Sequence, residues 1–215
     1  MRRYLRPDSN CVDVGAHGGD LLRHMCRIAP RGRHHAFEPL PHLAEELRRN
    51  FPQASVHEAA VSDAAGTAEF QFVENAPGYS GLRRRQYDRP DPLIKVLQVK
   101  VTTLDDVMSN TALPGLIKID VEGGEYHALL GAARTIKASK PWIIFEAGRR
   151  STGEYGVTAE AIFDLLAEDH GYRVTTLRRH AHKNAPYDKQ EFVANWHGGR
   201  EFFFLAYSDT KPPSG

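Results

Sequence analysis

Two segments of the chain, separated by roughly a hundred residues, carry the residue types that bind a nucleoside cofactor. They are CVDVGAHGG at 11–19 and LIKIDVEGGE at 116–125. Each segment is predicted to form a short apolar strand that ends at a carboxylate and turns at glycines. Because the carboxyl ends of parallel strands meet at one edge of a sheet, both acids would open onto one crevice. A glycine turn lets the backbone approach a ligand closely, and an acid at a strand end can hold a hydroxyl or a cation.

The first turn favours S-adenosylmethionine over a dinucleotide. Asp13, Gly15, His17 and Gly19 occupy alternating positions after the first predicted strand. A dinucleotide fingerprint, GxGxxG, uses its glycines to seat a pyrophosphate on the helix N-terminus. His17 stands at the second glycine position and leaves less room for a diphosphate. S-adenosylmethionine carries no phosphate and needs a tight turn beside its amino-acid part.

Glu38 is a candidate for binding the ribose of the cofactor. It ends the second predicted strand, 23 residues after Gly15. A carboxylate at this place can accept hydrogen bonds from both ribose hydroxyls. NAD-dependent enzymes place an acid there too, so Glu38 alone does not separate the two cofactors. The turn, the ribose acid and the end of the third strand, in this order, together favour S-adenosylmethionine.

Three carboxylates are candidates for catalysis: Asp120, Glu122 and Glu146. They lie at or just beyond the ends of two strands that are expected to be neighbours. They could act as a base that removes a proton from a substrate hydroxyl, or together hold a hard divalent cation through oxygen ligands. We expect no metal; if one binds, these three residues are its ligands. Alternatively, Glu122 and Glu125 lie in the first turn of a helix, where acids favour the helix dipole.

Strand and helix signals alternate along most of the chain. This alternation predicts β-α-β units with right-handed crossovers and an α/β fold with a mostly parallel sheet and helices on both faces. The predicted strands are 10–14, 33–37, 55–61, 67–73, 97–101, 116–121, 142–146, 172–177 and 201–207. The predicted helices are 18–28, 40–51, a short one after Thr103, 122–138 and one capped by Thr158. We predict one domain over 1–215, with a core at about 10–207 and a frayed tail at 208–215.

A long segment from 74 to 92 interrupts the alternation and is rich in glycine, proline and arginine. A loop of this length in a compact domain is usually functional or disordered. Tyr79 and Ser80 are predicted to line the pocket for the second substrate, which would accept a group from the cofactor. Arg83, in the Arg83–Arg85 cluster, could clamp an anionic or glycosidic substrate; the alternative is a solvated loop.

Composition excludes several classes of function. The chain has 215 residues and a formal net charge of +1 without a long block of one sign, so bulk electrostatics do not support a nucleic-acid partner. Its two cysteines provide neither metal-ligand spacing nor a disulfide framework. There is no signal peptide and no run long enough to span a bilayer, so we expect a cytoplasmic protein without a membrane partner.

With these motifs in their order, the chain resembles the FkbM family of S-adenosylmethionine-dependent methyltransferases. The matching segments are DVGAHGG at 13–19, FEPLP at 37–41, EAAVSDAAG at 58–66, TTLDD at 102–106, KIDVEGGE at 118–125 and IIFE at 143–146. The resemblance implies a Rossmann-like class I methyltransferase fold, with a seven-stranded sheet whose last strand is antiparallel. It also implies methyl transfer to a hydroxyl of a sugar, a polysaccharide or a secondary metabolite.

The resemblance also implies roles for individual residues. By this resemblance, the methionine half of the cofactor would contact Asp13, Gly15, His17 and Gly19. The ribose would contact Glu38, and the edge of the adenine would contact Ala60 and Val61. The methyl group would face Asp120. The family more often has asparagine where His17 stands. Family members often have a longer segment before the first strand, so part of the substrate cover is expected to be absent or to come from another subunit, as in a homodimer.

We therefore predict an S-adenosylmethionine-dependent O-methyltransferase that acts on a small molecule or a glycan. An NAD-dependent oxidoreductase is the alternative enzyme class, opposed by the missing GxGxxG. A non-catalytic cofactor-binding or interaction protein with the same fold is the other alternative, because fold alone does not establish activity. A nucleic-acid methyltransferase is disfavoured, because Asp120-Val-Glu replaces an Asn/Asp-Pro-Pro-aromatic motif and neither cysteine follows a proline.

Overall fold

The structure is a computed structural model that describes residues 5–85, 87, 90–148 and 153–209. Its strands are β1 (Cys11–Val14), β2 (His34–Phe37), β3 (Ala54–His57), β4 (Ala60–Val61), β5 (Gly66–Val73), β6 (Ile94–Thr102), β7 (Leu116–Ile119), β8 (Trp142–Glu146), β9 (Arg173–Thr175) and β10 (Phe203–Tyr207). Its α-helices are α1 (Asp20–Ile28), α2 (Pro41–Asn50), α3 (Leu104–Met108), α4 (Glu125–Leu130), α5 (Ala133–Ser139), α6 (Ala159–Asp164), α7 (Leu177–Ala181) and α8 (Lys189–Gly198).

Seven of these strands form one sheet in the order β3-β2-β1-β7-β8-β10-β9. The strands from β3 to β8 pair in parallel, and β10 is antiparallel to both β8 and β9. The predicted mostly parallel sheet with an antiparallel last strand is therefore confirmed. The carboxyl ends of β1, β2, β7 and β8 meet at one edge, where the sequence places its glycine turns and acids.

The prediction of one continuous strand over 55–61 is wrong. β3 ends at His57, and Ala60 and Val61 leave the main sheet to pair in parallel with the end of β6. They belong to a second sheet, of order β4-β6-β5, in which β5 and β6 form a long antiparallel hairpin. β3 is an edge strand, so nothing in its own sequence indicates where it loses its partner.

The prediction of one helix over 122–138 is also wrong. The segment forms α4 and α5, which are separated at Gly131. A Cβ atom at this glycine would lie 2.0 Å from the carbonyl oxygen of Ser62, so the close approach of the two segments requires glycine here. The Asp105 carboxylate of α3 accepts hydrogen bonds from the N–H groups of Arg134 and Thr135, both at 2.8 Å, and so caps α5.

The strands of the main sheet are apolar on both faces, as expected for a parallel sheet covered by helices. One face packs Val12, Val14, Ile117, Ile119, Ile143 and Phe145 against α4, α5 and α6, and the other packs Cys11, Leu116, Ile144 and Leu205 against α1. A pair of charged residues interrupts the second face, because Asp13 and Lys118 are register partners on β1 and β7. Among the described residues, no helix has both the length and the apolar composition that crossing a membrane requires.

Candidate active site at the carboxyl edge of the sheet

A cavity of about 600 Å³ opens at the carboxyl ends of β1, β2 and β7. Its volume is in the range of small-molecule sites. Nine of the residues predicted for the site line this cavity: Asp13, Gly15, His17, Glu38, Ala60, Val61, Ser80, Asp120 and Glu122. Four of the predicted residues lie outside its lining: Gly19, Tyr79, Arg83 and Glu146.

The turn after β1 is locked to the strands on both of its sides. The N–H groups of Gly15 and Ala16 both donate to the carbonyl oxygen of Phe37, at 3.0 Å. Gly15 has φ +76°, and a Cβ atom on it would lie 1.9 Å from the carbonyl oxygen of Asp120. Both its conformation and its contact with the end of β7 therefore require glycine at this position.

His17 and Gly19 complete this turn in different ways. His17 has φ +47° and an exposed side chain at the cavity wall. Gly19 has φ +81°, and a Cβ atom on it would lie 2.5 Å from the ring of Phe51. The structure therefore places Gly19 against the helix α2, behind the turn, where it allows close packing.

Glu38 is a buried carboxylate that holds two chain segments at the cavity wall. Its Oε2 accepts a hydrogen bond from the N–H of His17 at 2.9 Å, and its Oε1 accepts one from the N–H of Leu40 at 3.0 Å. Burial raises the pKa of Glu38, and the two backbone N–H groups oppose that rise. Ala60 and Val61, at the start of the second sheet, line the same cavity.

Lys118 is the site residue to which the sequence analysis gave no role. Its Nζ donates a hydrogen bond to the carbonyl oxygen of Gly15 at 2.6 Å and lies 3.1 Å from Oδ1 of Asp13. The same Nζ lies 3.7 Å from Oδ2 of Asp120, so one ammonium joins the ends of β1 and β7. A lysine inside an apolar strand was the available signal, because a buried charge needs a partner of opposite sign.

Three carboxylates meet beside this lysine. Oxygen atoms of Asp120, Glu122 and Glu146 all lie within 4.8 Å of one another, and we call this group the acid cluster. Burial raises the pKa of Glu146 to about 9, and a hydrogen bond with Asp120 together with the Asp120 charge adds to the rise. Burial likewise raises the pKa of Glu122 to about 8. Arg85, which pairs with Glu122, opposes that rise, so Glu146 is the member of the acid cluster that keeps its proton at neutral pH.

The alternative role, an acid in the first turn of a helix, fits Glu125 but not Glu122. Glu122 precedes α4 and has φ +59°, so it lies outside the first helical turn. Glu125 is fully buried, and its Oε1 accepts hydrogen bonds from the N–H groups of Val121 at 2.9 Å and Gly123 at 3.1 Å. Glu125 therefore fixes the turn that presents Glu122 to the cavity.

In the loop before β6, the structure brings Arg85 rather than Arg83 to the site. Arg83 is exposed, with its guanidinium 5.8 Å from the ring centre of Tyr155. The side chain of Arg85 is buried and forms an ion pair with Glu122, and its guanidinium lies 5.1 Å from the ring centre of Tyr79. Tyr79 therefore supports Arg85, whereas Ser80 lines the cavity and accepts a hydrogen bond from a backbone N–H of β5.

Comparison with known proteins gives the same family over most of the chain. Residues 13–174 match the model of the methyltransferase FkbM domain. The chain is 27% identical over 208 residues to the AMB antimetabolite synthetase AmbE of Pseudomonas aeruginosa, covering 80% of this chain and 10% of that protein. It is 28% identical over 145 residues to Methyltransferase 1 of Beauveria bassiana, covering 58% of each chain.

Two solved structures have a similar fold. The methyltransferase FkbM of Methylobacillus flagellatus superposes with a TM-score of 0.59 at 16% identity, over 94% of this chain and 44% of that one. The precorrin-6y C5,15-methyltransferase of Geobacter metallireducens gives a TM-score of 0.50 at 16% identity, over 97% of this chain and 84% of that one. These likenesses establish the Rossmann-like class I methyltransferase fold.

Proposed function

This chain belongs to the FkbM methyltransferase family, and we propose that it transfers a methyl group from S-adenosylmethionine to a hydroxyl oxygen. One observation carries the proposal: the Gly15 turn, Glu38 and Asp120 line one cavity at one edge of the sheet, and Glu146 lies next to Asp120. The first two suit the cofactor, and the carboxyl pair suits an acceptor that must lose a proton.

The residues at the cavity fit S-adenosylmethionine. The Gly15 turn exposes backbone without a seat for a pyrophosphate, which suits the amino-acid part of the cofactor. Each oxygen of Glu38 accepts one backbone N–H and keeps a second lone pair for a ribose hydroxyl. Ala60 and Val61 offer an apolar edge for the adenine.

The carboxyl pair provides the acid–base chemistry of the proposed reaction. S-adenosylmethionine, when bound, supplies a methyl group on a good leaving group. The Asp120 carboxylate accepts the proton of the acceptor hydroxyl, and Glu146 keeps its own proton and orients Asp120 through their hydrogen bond. The remaining contribution of the protein is positioning, which is worth about 7–11 kcal/mol in well-oriented systems.

We propose that the reaction needs no divalent cation. Arg85 pairs with Glu122, and Lys118 lies 3.7 Å from Asp120, so two side chains of the protein already offset the charge of the acid cluster. If a cation does bind, Asp120, Glu122 and Glu146 are its ligands. Methyl transfer that survives EDTA would support the metal-free mechanism, whereas activity restored only by Mg²⁺ or Mn²⁺ would contradict it.

The assembly and location of the protein are proposals of the same kind. We propose a cytoplasmic enzyme that acts on a small molecule or a glycan and neither on nucleic acid nor at a membrane.

We also propose that a homodimer completes the cover of the acceptor. Light scattering at micromolar concentration tests this, because a monomer that is fully active would contradict a dimer-completed site.

The test of the proposed function is transfer of a labelled methyl group from S-adenosylmethionine to a panel of alcohols, phenols and glycosides. The wild-type protein should produce labelled methyl ethers, and Asp120→Asn should lower the rate by about 10²–10⁴-fold because the base is lost. Glu154→Gln, a change at an exposed carboxylate outside the cavity lining, is the control. Cofactor binding without transfer to any acceptor would instead favour a non-catalytic binding protein.

A further inference from the structure

The cavity extends past the acid cluster, beyond the residues that are assigned to the cofactor. Four of its lining residues, from four different elements, lie on the side of β8 and β10: Leu21 of α1, Ile144 of β8, Leu177 of α7 and Phe203 of β10. We call this part of the cavity the acceptor lobe. Because these residues come from distant parts of the chain, the lobe is formed by the tertiary fold and not by one local segment.

The strand order separates the acceptor lobe from the ribose position. Glu38 follows β2, and Phe203 begins β10, which lies four strands away across β1, β7 and β8. At a spacing of about 4.8 Å between strands, this is a distance of about 19 Å. Asp120, at the end of β7, lies between the two. A cofactor whose ribose is at Glu38 and whose methyl group is at Asp120 therefore leaves the acceptor lobe for the second substrate.

The acceptor lobe is apolar, and part of it faces solvent. Leu177 is 43% exposed and Phe203 is 48% exposed. A single exposed apolar side chain is common, but here two of them line one cavity. Phe203 is the register partner of Glu146 across the antiparallel pair, which places its Cβ about 5 Å from that of Glu146 on the same face. The apolar wall is thus adjacent to the acid cluster.

We propose that the acceptor lobe binds an apolar ring or chain that carries the hydroxyl to be methylated, so the acceptor is an alcohol or phenol with an apolar body. This inference rests on the proposed function. The four side chains have no hydrogen-bonding group, and burying the several hydroxyls of a free sugar against them would leave those hydroxyls unpaired, which costs free energy. Asp120, which lines the cavity at the boundary of the lobe, offers a polar partner for the one reacting hydroxyl.

A matched pair of probes tests this specificity. The fluorescent alcohol 2-naphthol has one hydroxyl on an apolar ring system, and myo-inositol has a hydroxyl on every ring carbon. Both are titrated into the protein with saturating S-adenosylhomocysteine and into the cofactor-free protein. 2-Naphthol should bind, and Leu177→Ser and Phe203→Ser should each weaken its binding by about tenfold, since each removes apolar contact area. myo-Inositol should not displace it.

The matched control is Leu113→Ser, because Leu113 is 42% exposed and does not line the cavity. This variant should bind 2-naphthol with wild-type affinity. Equal affinity in all variants, or preferential binding of myo-inositol, would overturn the inference and leave the proposed function standing. Failure of S-adenosylhomocysteine to bind would instead contradict the proposed function. The titration of the cofactor-free protein would still show whether the lobe prefers 2-naphthol to myo-inositol.

Discussion

Lys118 contacts groups that the chain brings from two different strands. Its ammonium donates to the Gly15 carbonyl oxygen at 2.6 Å and lies 3.1 Å from Asp13 and 3.7 Å from Asp120. Burial raises the pKa of Asp13, and the charge of Lys118 opposes that rise. At the scale of single residues, this lysine sets both the geometry of the cofactor turn and the charge beside the acid cluster.

Replacing Lys118 should therefore weaken cofactor binding. We expect Lys118→Met to lower the affinity for S-adenosylhomocysteine by about tenfold or more and the free energy of unfolding by about 3–5 kcal/mol, because Asp13 is left buried without its cation. Calorimetric titration and thermal unfolding measure the two effects.

The matched control for this prediction is Lys140→Met. Lys140 also donates to a backbone carbonyl, that of His170, at 2.6 Å, but it does not line the cavity. Its replacement should lower stability and leave the affinity unchanged. An Lys118→Met protein that binds S-adenosylhomocysteine as tightly as the wild type would show that the lysine does not position the turn.

Much of the candidate site was predictable at the residue scale. Asp13, Gly15 and Asp120 line the cavity at the strand ends where the sequence predicts them, because an apolar strand that ends at an acid or a glycine turn is a local signal. The contact of Lys118 with Gly15 joins positions 103 residues apart, which no local pattern indicates. Arg85 was missed in favour of Arg83, because the path of the loop decides which arginine faces inward.

At the scale of elements, Asp105 connects three segments that the sequence presents as separate. Its N–H donates to the carbonyl oxygen of Gly131 at 2.9 Å, and its carboxylate accepts hydrogen bonds from the N–H groups of Arg134 and Thr135. The side-chain hydroxyl of Thr135 also donates to this carboxylate, at 2.7 Å. Asp105 thereby fixes the start of α5 and the break between α4 and α5.

Asp105→Ala should destabilise the protein by about 2–3 kcal/mol, because the four hydrogen bonds that its buried carboxylate accepts from Arg134 and Thr135 are lost. The control is Asp106→Ala at the neighbouring position, whose side chain is 55% exposed and should change stability by about 0.5 kcal/mol or less. Chemical denaturation of both variants measures the difference. Equal effects of the two substitutions would contradict the capping role of Asp105.

The sequence predicted the succession of elements better than their ends. Alternating apolar periodicities gave the β-α-β order and the caps Thr103 and Thr158, whose side chains accept from the N–H groups of Asp106 and Ala161. The end of β3 and the break at Gly131 were missed for one reason. Each depends on a partner distant in sequence, β6 in the first case and Ser62 in the second.

At the scale of the whole molecule, buried titratable groups make stability depend on pH in two opposite directions. Burial raises the pKa of Glu146 from 4.5 to about 9, so the unfolded chain loses this proton first and stability falls as pH rises through this range. Burial beside His35 lowers the pKa of His57 from 6.5 to about 4, so stability also falls as pH drops through that range.

The midpoint of thermal unfolding of the cofactor-free protein should therefore be highest between about pH 4.5 and 6.5. Glu146→Gln cannot ionise, so this variant should unfold about 10 °C or more above the wild type near pH 9 and at the same temperature near pH 4.5. Differential scanning calorimetry across this range measures both effects. A wild-type maximum above pH 8 would contradict the burial of neutral carboxyl groups at the site.

The central claim is that the cavity binds S-adenosylmethionine through the Gly15 turn and Glu38. Calorimetric titration of the wild-type protein and of Glu38→Ala with S-adenosylmethionine and S-adenosylhomocysteine, with NADH as the control ligand, tests it most directly. We predict micromolar binding of both sulfur compounds to the wild type, a loss of at least about tenfold in Glu38→Ala, and no binding of NADH. Binding of NADH alone, or no binding of either sulfur compound to the folded protein, would contradict the account.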